Sequence, residues 1–186
     1  MLNQEPTPCQ RPVEPGCACT QHETMPGMLR IRPATTADLG AIGPLRQLSA
    51  RILTGGYYAE VDIDGALASG SLDSEMIEAG SFFVATIGEQ LVGTAAWSPI
   101  ESIDGAAVVR SVYVHPNVAG TGVGQKLMHV VECHAAHAGC ERFELQSSLS
   151  AVVFYRRLGY HDVEQCQCTL NNGVELPVVQ MYKRVG

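Results

Sequence analysis

The sequence predicts an α+β fold in which helices flank a mixed sheet, with the element order βααβββαβαββ. Two patterns indicate this fold: short runs of β-branched and aromatic residues bounded by turn residues, and longer stretches with aliphatic residues at helical spacing. A third observation is a strand that leads through a glycine loop directly into a helix. With 186 residues the chain is one domain by length, and it is large enough to bury a core.

Each element follows from a local signal of period, cap or turn. Gly88-Glu89 and Asn172-Gly173 are hairpin signals, and the second is the preferred pair for a two-residue turn. In the first half of the chain we expect a strand over 29–32, a helix that begins near Thr36 and Asp38 and ends at Gly55-Gly56, a helical stretch around Ile63 and Leu67, and a shorter one around Met76 and Ile77. Strands over 82–87, 91–97 and 105–114 follow, and then a helix over 125–138. The last elements are a strand over 143–146, a helix over 151–158 capped by Ser150, and strands over 161–169 and 174–182.

Residues 1–28 differ in composition from the rest of the chain. They contain five prolines and almost no aliphatic residues, so they cannot bury a core. We expect a disordered N-terminal extension over 1–28 and a folded domain over 29–186. Either Met25 or Met28 could be the true start of the protein.

Charge and hydropathy exclude several classes of function. The net charge of −7 argues against nucleic-acid binding, which requires a basic face, and against acidic membranes as partners. No stretch approaches 18 apolar residues, and the N-terminus lacks the pattern of a signal peptide. We therefore expect a cytoplasmic protein, monomeric or homodimeric, whose acidic charge is compatible with a cationic amine substrate.

The seven cysteines are expected to be free thiols in a reducing compartment. Cys17 and Cys19 with His22 could bind a metal, but no second pair has ligand spacing, so we predict no metal site. Cys166 and Cys168 alternate on a strand, so they share a face and cannot easily bond to each other.

The segment around Gly120, Gly122 and Gly124 points to a phosphate-bearing ligand. It follows the strand that ends at Val114 and precedes an amphipathic helix, and a helix N-terminus offers unpaired N–H groups and partial positive charge. A P-loop would need Gly-Lys-Ser/Thr at the helix start, and too little chain follows for a dinucleotide-binding fold. An ordinary strand-to-helix turn is the competing interpretation.

Further motifs in the same order extend this pattern, with Val114-His115-Pro116 before the loop and Ser148 to Ala151 and Phe154 to Tyr160 after it. Together they resemble the GCN5-related N-acetyltransferase (GNAT) superfamily, which uses acetyl-coenzyme A, over roughly residues 29–185. The chain departs from the family loop pattern where Ala119 replaces Arg or Gln. The resemblance implies a mostly antiparallel mixed sheet. It also implies a cofactor site at Val112, Tyr113, Val114, Ala119, Gly120, Thr121, Gly122, Val123, Gly124, Gln125 and Ser148.

The resemblance also implies the catalytic roles. Tyr155 would be the general acid, and a backbone N–H of Val112 or Val114 would polarise the acetyl carbonyl. No acidic residue lies on the strand before the loop, so Glu144 or a water relay would be the general base. His115 is a weaker candidate that more readily shapes the turn. Ser148 or Ser150 would bond the pantetheine arm or cap the helix.

The acceptor would contact residues of the early helices and the second hairpin. Tyr57, Tyr58 and Trp97 are the aromatic candidates, with core packing as the competing interpretation. The expected function is acetyl transfer from acetyl-CoA to a primary amine of a small molecule or peptide. Two alternatives are a non-catalytic acyl-CoA-binding sensor and an acetyltransferase acting on charged tRNA, which the acidic balance disfavours.

Overall fold

A computed structural model describes residues 27–68 and 73–185. The predicted extension therefore lies outside the described residues, apart from Gly27 and Met28, as does the Cys17, Cys19 and His22 group. The strands and helices are β1 (Leu29–Pro33), α1 (Leu39–Leu53), α2 (Glu60–Ala68), α3 (Asp73–Glu78), β2 (Phe82–Ile87), β3 (Gln90–Pro99), β4 (Ala106–Val114), α4 (Val123–His137), β5 (Arg142–Ser148), α5 (Val152–Arg157), β6 (His161–Thr169) and β7 (Glu175–Arg184).

The seven strands form one sheet in the order β1-β2-β3-β4-β5-β7-β6. Only β4 and β5 run parallel, and every other neighbouring pair is antiparallel. The predicted α+β class and mixed, mostly antiparallel sheet are confirmed. The short helical stretch predicted around Met76 and Ile77 is present as α3, although the predicted element order counted only two helices before the second strand.

Helices cover both faces of the sheet because its central strands are apolar on both sides. Phe83 and Ala85 of β2 pack in the larger core with α4 and α5, whereas Phe82 and Val84 pack in a second core with α1 and α3. Alternate residues of one strand thus point into different cores. We call these the α4 face and the α1 face of the sheet.

Three predicted caps and turns differ in the structure. Thr35, not Thr36, caps the first helical turn, because the Asp38 carboxylate accepts from its N–H and hydroxyl at 2.7 and 3.0 Å. Ser150 does not cap α5, since its hydroxyl lies 3.1 Å from that of Ser148. Residues 171–173 form a three-residue loop rather than a two-residue turn: Leu170 N–H donates to Val174 C=O, and only Gly173 has a positive φ.

No helix among the described residues is long and apolar enough to cross a membrane. No group of three or more metal-ligating side chains in the described ranges is arranged to hold a metal ion. The four cysteines of those ranges, Cys133, Cys140, Cys166 and Cys168, form no disulfide.

Candidate active site

The parallel strands β4 and β5 separate and open a cleft between the two halves of the sheet. They pair only at Ala106, Ala107 and Val108 of β4, although β4 continues to Val114. The cleft has a volume of about 1270 Å³, and its walls come from α1, α2, β4, the glycine loop, β5, α5 and the β6–β7 hairpin. The predicted cofactor and acceptor segments therefore meet at one place.

A β-bulge in β4 shapes the floor of the cleft. Ala96 pairs with Arg110 and Thr94 with Tyr113, so two residues of β4 oppose Ala95 alone. Within the bulge, Ser111 has a φ of 53°, a conformation that costs energy in a residue with a Cβ. The Thr94 hydroxyl holds it by donating to the Ser111 carbonyl oxygen at 2.7 Å. The bulge re-aims the end of β4 into the cleft.

The two backbone donors predicted for the acetyl carbonyl are not equivalent. The N–H of Val114 donates to Oγ of Ser49 on α1 at 3.3 Å. Ser49 is buried, with 4 % of its surface exposed. A ligand that accepts from Val114 must therefore displace the Ser49 hydroxyl, whereas Val112 also lines the cleft without this partner.

The glycines of the loop serve two different purposes. Gly120 and Gly122 have φ values of 80° and 92°, and a Cβ built on either would meet no atom within 4 Å. Gly122 is the N-cap of α4, so open space lies directly before the helix N-terminus. Gly124 instead permits packing, because its Cβ would lie 3.2 Å from Cζ of Phe154.

Most of the predicted cofactor residues line the cleft, but two do not. Thr121 turns its hydroxyl back to the Val118 carbonyl at 2.7 Å, and Val123 packs in the larger core with 4 % of its surface exposed. These two can contact a ligand only through the backbone or not at all. The residues that line the cleft are Val112, Tyr113, Val114, Ala119, Gly120, Gly122, Gly124, Gln125 and Ser148.

Tyr155 lies on α5 and lines the cleft, although only 7 % of its surface is exposed. The rings of Phe154 and Tyr160 pack against it at 5.0 and 5.8 Å. Burial, with a smaller contribution from Tyr113, raises the pKa of the Tyr155 phenol well above its usual value. The hydroxyl therefore keeps its proton at neutral pH and can act as a donor.

The candidate bases have other partners. Glu144 lines the cleft but forms an ion pair with Arg142 at 2.8 Å, and Nε2 of Gln180 donates to it at 3.4 Å. His115 accepts from the N–H of Asn117 through Nδ1 at 3.2 Å. The structure therefore gives His115 the turn-shaping role.

The three aromatic residues predicted to bind the acceptor are not together. Tyr58 lines the cleft, whereas Tyr57 is 57 % exposed and does not. The predicted acceptor-binding role of Trp97 is corrected by the structure, because the register of β3 places this residue on the α4 face. There it is 5 % exposed and donates from Nε1 to Nδ1 of His134 at 3.0 Å. Burial lowers the pKa of His134, which keeps the ring neutral and able to accept. Trp97 is therefore a core residue.

The Tyr58 hydroxyl connects opposite walls of the cleft. It donates to the Pro177 carbonyl at 2.8 Å and accepts from the Leu149 N–H at 2.9 Å. Burial raises the pKa of this phenol, so it remains a donor. The connection between α1 and α2 is thus bonded to β7 and to the segment that precedes α5.

Sequence reasoning missed a charged cluster below the bulge. Asp73 of α3 is 3 % exposed, pairs with Arg46 of α1 at 2.7 Å and accepts from Oγ of Ser111 at 3.2 Å. These residues come from three elements, and no spacing in the chain indicates their meeting. Arg110 was also missed, although a single cation in an apolar strand was a signal that could have identified it.

Comparisons with known proteins agree with this geometry. Residues 78–162 match the family model of the acetyltransferase (GNAT) domain. A search of curated proteins finds no match.

Three solved structures illustrate the likeness of fold. A GCN5-related N-acetyltransferase from Rhodopseudomonas palustris is 23 % identical and has a TM-score of 0.72, with 88 % of this chain and 100 % of that chain covered. The PaiA N-acetyltransferase from Thermoplasma acidophilum, solved with coenzyme A, is 17 % identical with a TM-score of 0.69, covering 85 % and 99 %. A GNAT family acetyltransferase from Brucella melitensis, solved with acetyl-CoA, is 20 % identical with a TM-score of 0.59, covering 86 % and 90 %.

Proposed function

The chain belongs to the GNAT superfamily, and from this premise we propose that it transfers the acetyl group of acetyl-CoA to a primary amine of a small molecule or peptide. The observation that carries the proposal is the convergence of three features on one cleft. They are the splayed end of β4 with its bulge, the glycine loop before α4, and the buried phenol of Tyr155.

The cofactor side of the cleft suits a pyrophosphate group. The open space next to Gly120 and Gly122 allows an anion to approach the first N–H groups of α4. The loop presents only backbone here, since Ala119 replaces the longer side chain of the family pattern. Ser148 lines the opposite wall, where its hydroxyl can bond an amide of the pantetheine arm.

Acetyl-CoA, when bound, supplies an activated thioester. We propose that the N–H of Val112 polarises its carbonyl and that Val114 contributes when the Ser49 hydroxyl moves aside. The phenol of Tyr155, which is protonated at neutral pH, would then donate a proton to the departing thiolate. The amine must lose a proton, and we propose Glu144 or water in the cleft as its acceptor.

A cofactor-binding experiment tests the location of the site. Gly122→Asp would place a negative charge and a side chain in the open space, so we expect acetyl-CoA to raise the melting temperature of wild type but not of this variant. Gly88→Asp is the matched control, because Gly88 also has a positive φ and open surroundings but lies in the β2–β3 hairpin. Equal stabilisation of the two variants would show that the cradle is misassigned.

An activity assay tests the reaction. We expect free thiol to be released from acetyl-CoA when the protein is supplied with a suitable member of a panel of amines and peptides. Stabilisation by acetyl-CoA that depends on Gly122, without thiol release for any acceptor, would instead identify a non-catalytic acyl-CoA sensor.

A further inference from the structure

Arg110 is the one cleft residue of β4 that carries a charge, and its surroundings leave that charge uncompensated. Its Nε is buried and has no hydrogen-bond partner among the described residues. No carboxylate in the described ranges forms an ion pair with its guanidinium, whereas seven ion pairs are formed elsewhere in those ranges. Buried N–H groups in proteins usually have a hydrogen-bond acceptor, and a ligand in the cleft could supply one for this Nε.

The other charged residues that line the cleft differ from Arg110, since Arg157, which also has no ion pair among the described residues, is exposed. Arg46 and Asp73 neutralise each other at 2.7 Å, and Glu144 is neutralised by Arg142 at 2.8 Å. The chain as a whole carries a charge of −7, so an uncompensated arginine inside its cleft is a local reversal of sign. An anion from outside the described residues could therefore pair with this guanidinium.

The position of Arg110 separates it from the cofactor phosphates. Arg110 pairs with Ala96, and paired residues of neighbouring strands share a face. Ala96 packs with Met76 and Ile77 on the α1 face, whereas the glycine loop leads into α4 on the other face. The guanidinium thus belongs to the acceptor side of the cleft.

Arg110 is also close to the reacting centre along the chain. It precedes the bulge residue Ser111 directly and lies two residues before Val112, which limits the Cα–Cα separation to at most about 7 Å. An anion bound there would lie near the amine that attacks a carbonyl held by Val112. A planar guanidinium matches a carboxylate with two parallel hydrogen bonds.

We propose that Arg110 binds a carboxylate on the acceptor, and that the acceptors are free amino acids rather than simple amines. This inference rests on the proposed acetyl transfer and names the class of substrate that it uses. The acidic net charge of the chain is compatible with a cationic amine, whereas the local charge of Arg110 suits an acceptor that also carries a carboxylate.

The test compares three matched forms of each acceptor. Wild-type protein is assayed with the standard L-amino acids, with their C-terminal amides and with the amines that lack the carboxyl group. We expect kcat/KM to be highest for the form with a free carboxylate. Arg110→Gln should raise KM for that form by about 10- to 100-fold and leave KM for the amide unchanged.

Two further variants control for folding and for charge. Arg110→Lys keeps the charge but loses the paired hydrogen bonds, so we expect intermediate selectivity. Arg30→Gln removes the same charge from an exposed position on β1 and should keep the wild-type ratio of acid to amide. Equal loss for acid and amide in Arg110→Gln, or a wild-type preference for the amide, would overturn the proposal.

A binding measurement separates this inference from the proposed reaction. In the presence of coenzyme A, each amino acid should raise the melting temperature of wild type more than its amide does, and Arg110→Gln should abolish the difference. If this discrimination is present but no thiol is released, acetyl transfer fails and the carboxylate site stands. If coenzyme A alone no longer stabilises Arg110→Gln, the arginine binds the cofactor and the inference is wrong.

Discussion

At the scale of the residue, burial makes Tyr155 a proton donor rather than a base. Its phenol is almost fully enclosed by aromatic rings, so the charged form is disfavoured and the pKa is raised. The same enclosure holds the hydroxyl at the cleft wall. Because the raised pKa makes this phenol a weaker acid than a free tyrosine, the proposed proton transfer to a departing thiolate requires the two groups to be in direct hydrogen-bond contact.

Tyr155→Phe tests this role directly. The ring still packs against Phe154 and Tyr160, so we expect the fold and the stabilisation by acetyl-CoA to be kept. Turnover should fall by about 10²- to 10⁴-fold, which is the usual contribution of general acid catalysis. Steady-state kinetics under conditions where chemistry is rate-limiting would measure it, and near-normal kcat would remove Tyr155 from the mechanism.

Asp38 illustrates a residue whose charge stabilises the fold rather than the site. Its carboxylate accepts from Arg32 and from Thr35, and these bonds, the one from Arg32 above all, lower its pKa to about 2. An unfolded aspartate has a pKa of about 3.9. Because the folded pKa is the lower one, the stabilisation is fully present above about pH 4 and is lost as the pH falls through 2.

We therefore expect Asp38→Asn to lower the free energy of unfolding by about 1 kcal/mol at pH 7. The gap between wild type and variant should narrow as the pH falls from 4 towards 2, as denaturant titrations at several pH values would show. Asp104→Asn, at an exposed loop position, is the control and should cost little at any pH. A gap that stays constant down to pH 2 would contradict the assignment.

At the scale of the element, hydrogen bonding by a single side chain compensates for a break in the sheet. Beyond Val108 no ladder joins β4 to β5. The Tyr58 hydroxyl instead bonds the connection after α1 to Pro177 of β7 and to Leu149 before α5. This bridge defines one end of the cleft without filling it.

Removing that hydroxyl should loosen the cleft. We expect Tyr58→Phe to lower the free energy of unfolding by about 1–2 kcal/mol, because the Leu149 N–H loses its partner. Hydrogen exchange at Leu149 should also become faster. Tyr57→Phe, the same change at the neighbouring exposed position, should alter neither quantity, and equal effects of the two variants would exclude the bridge as the cause.

The elements also show what a sequence can and cannot predict. The glycine loop could be identified from the sequence because all its residues are adjacent in the chain and an amphipathic helix follows them directly. Trp97 was misplaced because its face depends on the register of β3, which local alternation does not reveal when both faces are apolar. The cluster of Arg46, Asp73 and Ser111 needs three elements to pack before it exists.

At the scale of the whole molecule, the cleft divides the sheet into β1–β4 on one side and β5–β7 on the other. Its volume of about 1270 Å³ exceeds the roughly 300–1,000 Å³ of a typical small-molecule pocket. A reaction that joins a long cofactor to a second substrate needs such space. The glycine loop leads into α4 on the α4 face and Arg110 belongs to the α1 face, so the proposed sites for the two substrates lie on different faces of the sheet.

The domain boundary near residue 28 is a proposal that the whole molecule can test. Proline-rich composition with almost no aliphatic residues gives residues 1–28 little to bury, so we expect a protein that begins at Met28 to keep the melting temperature of the full chain. Its stabilisation by acetyl-CoA should also be unchanged, because every predicted cofactor residue lies beyond Leu29. Thermal denaturation of both forms, with and without the cofactor, measures this. A large loss of stability would show that the segment docks on the domain, and a loss of cofactor stabilisation alone would place it at the cleft.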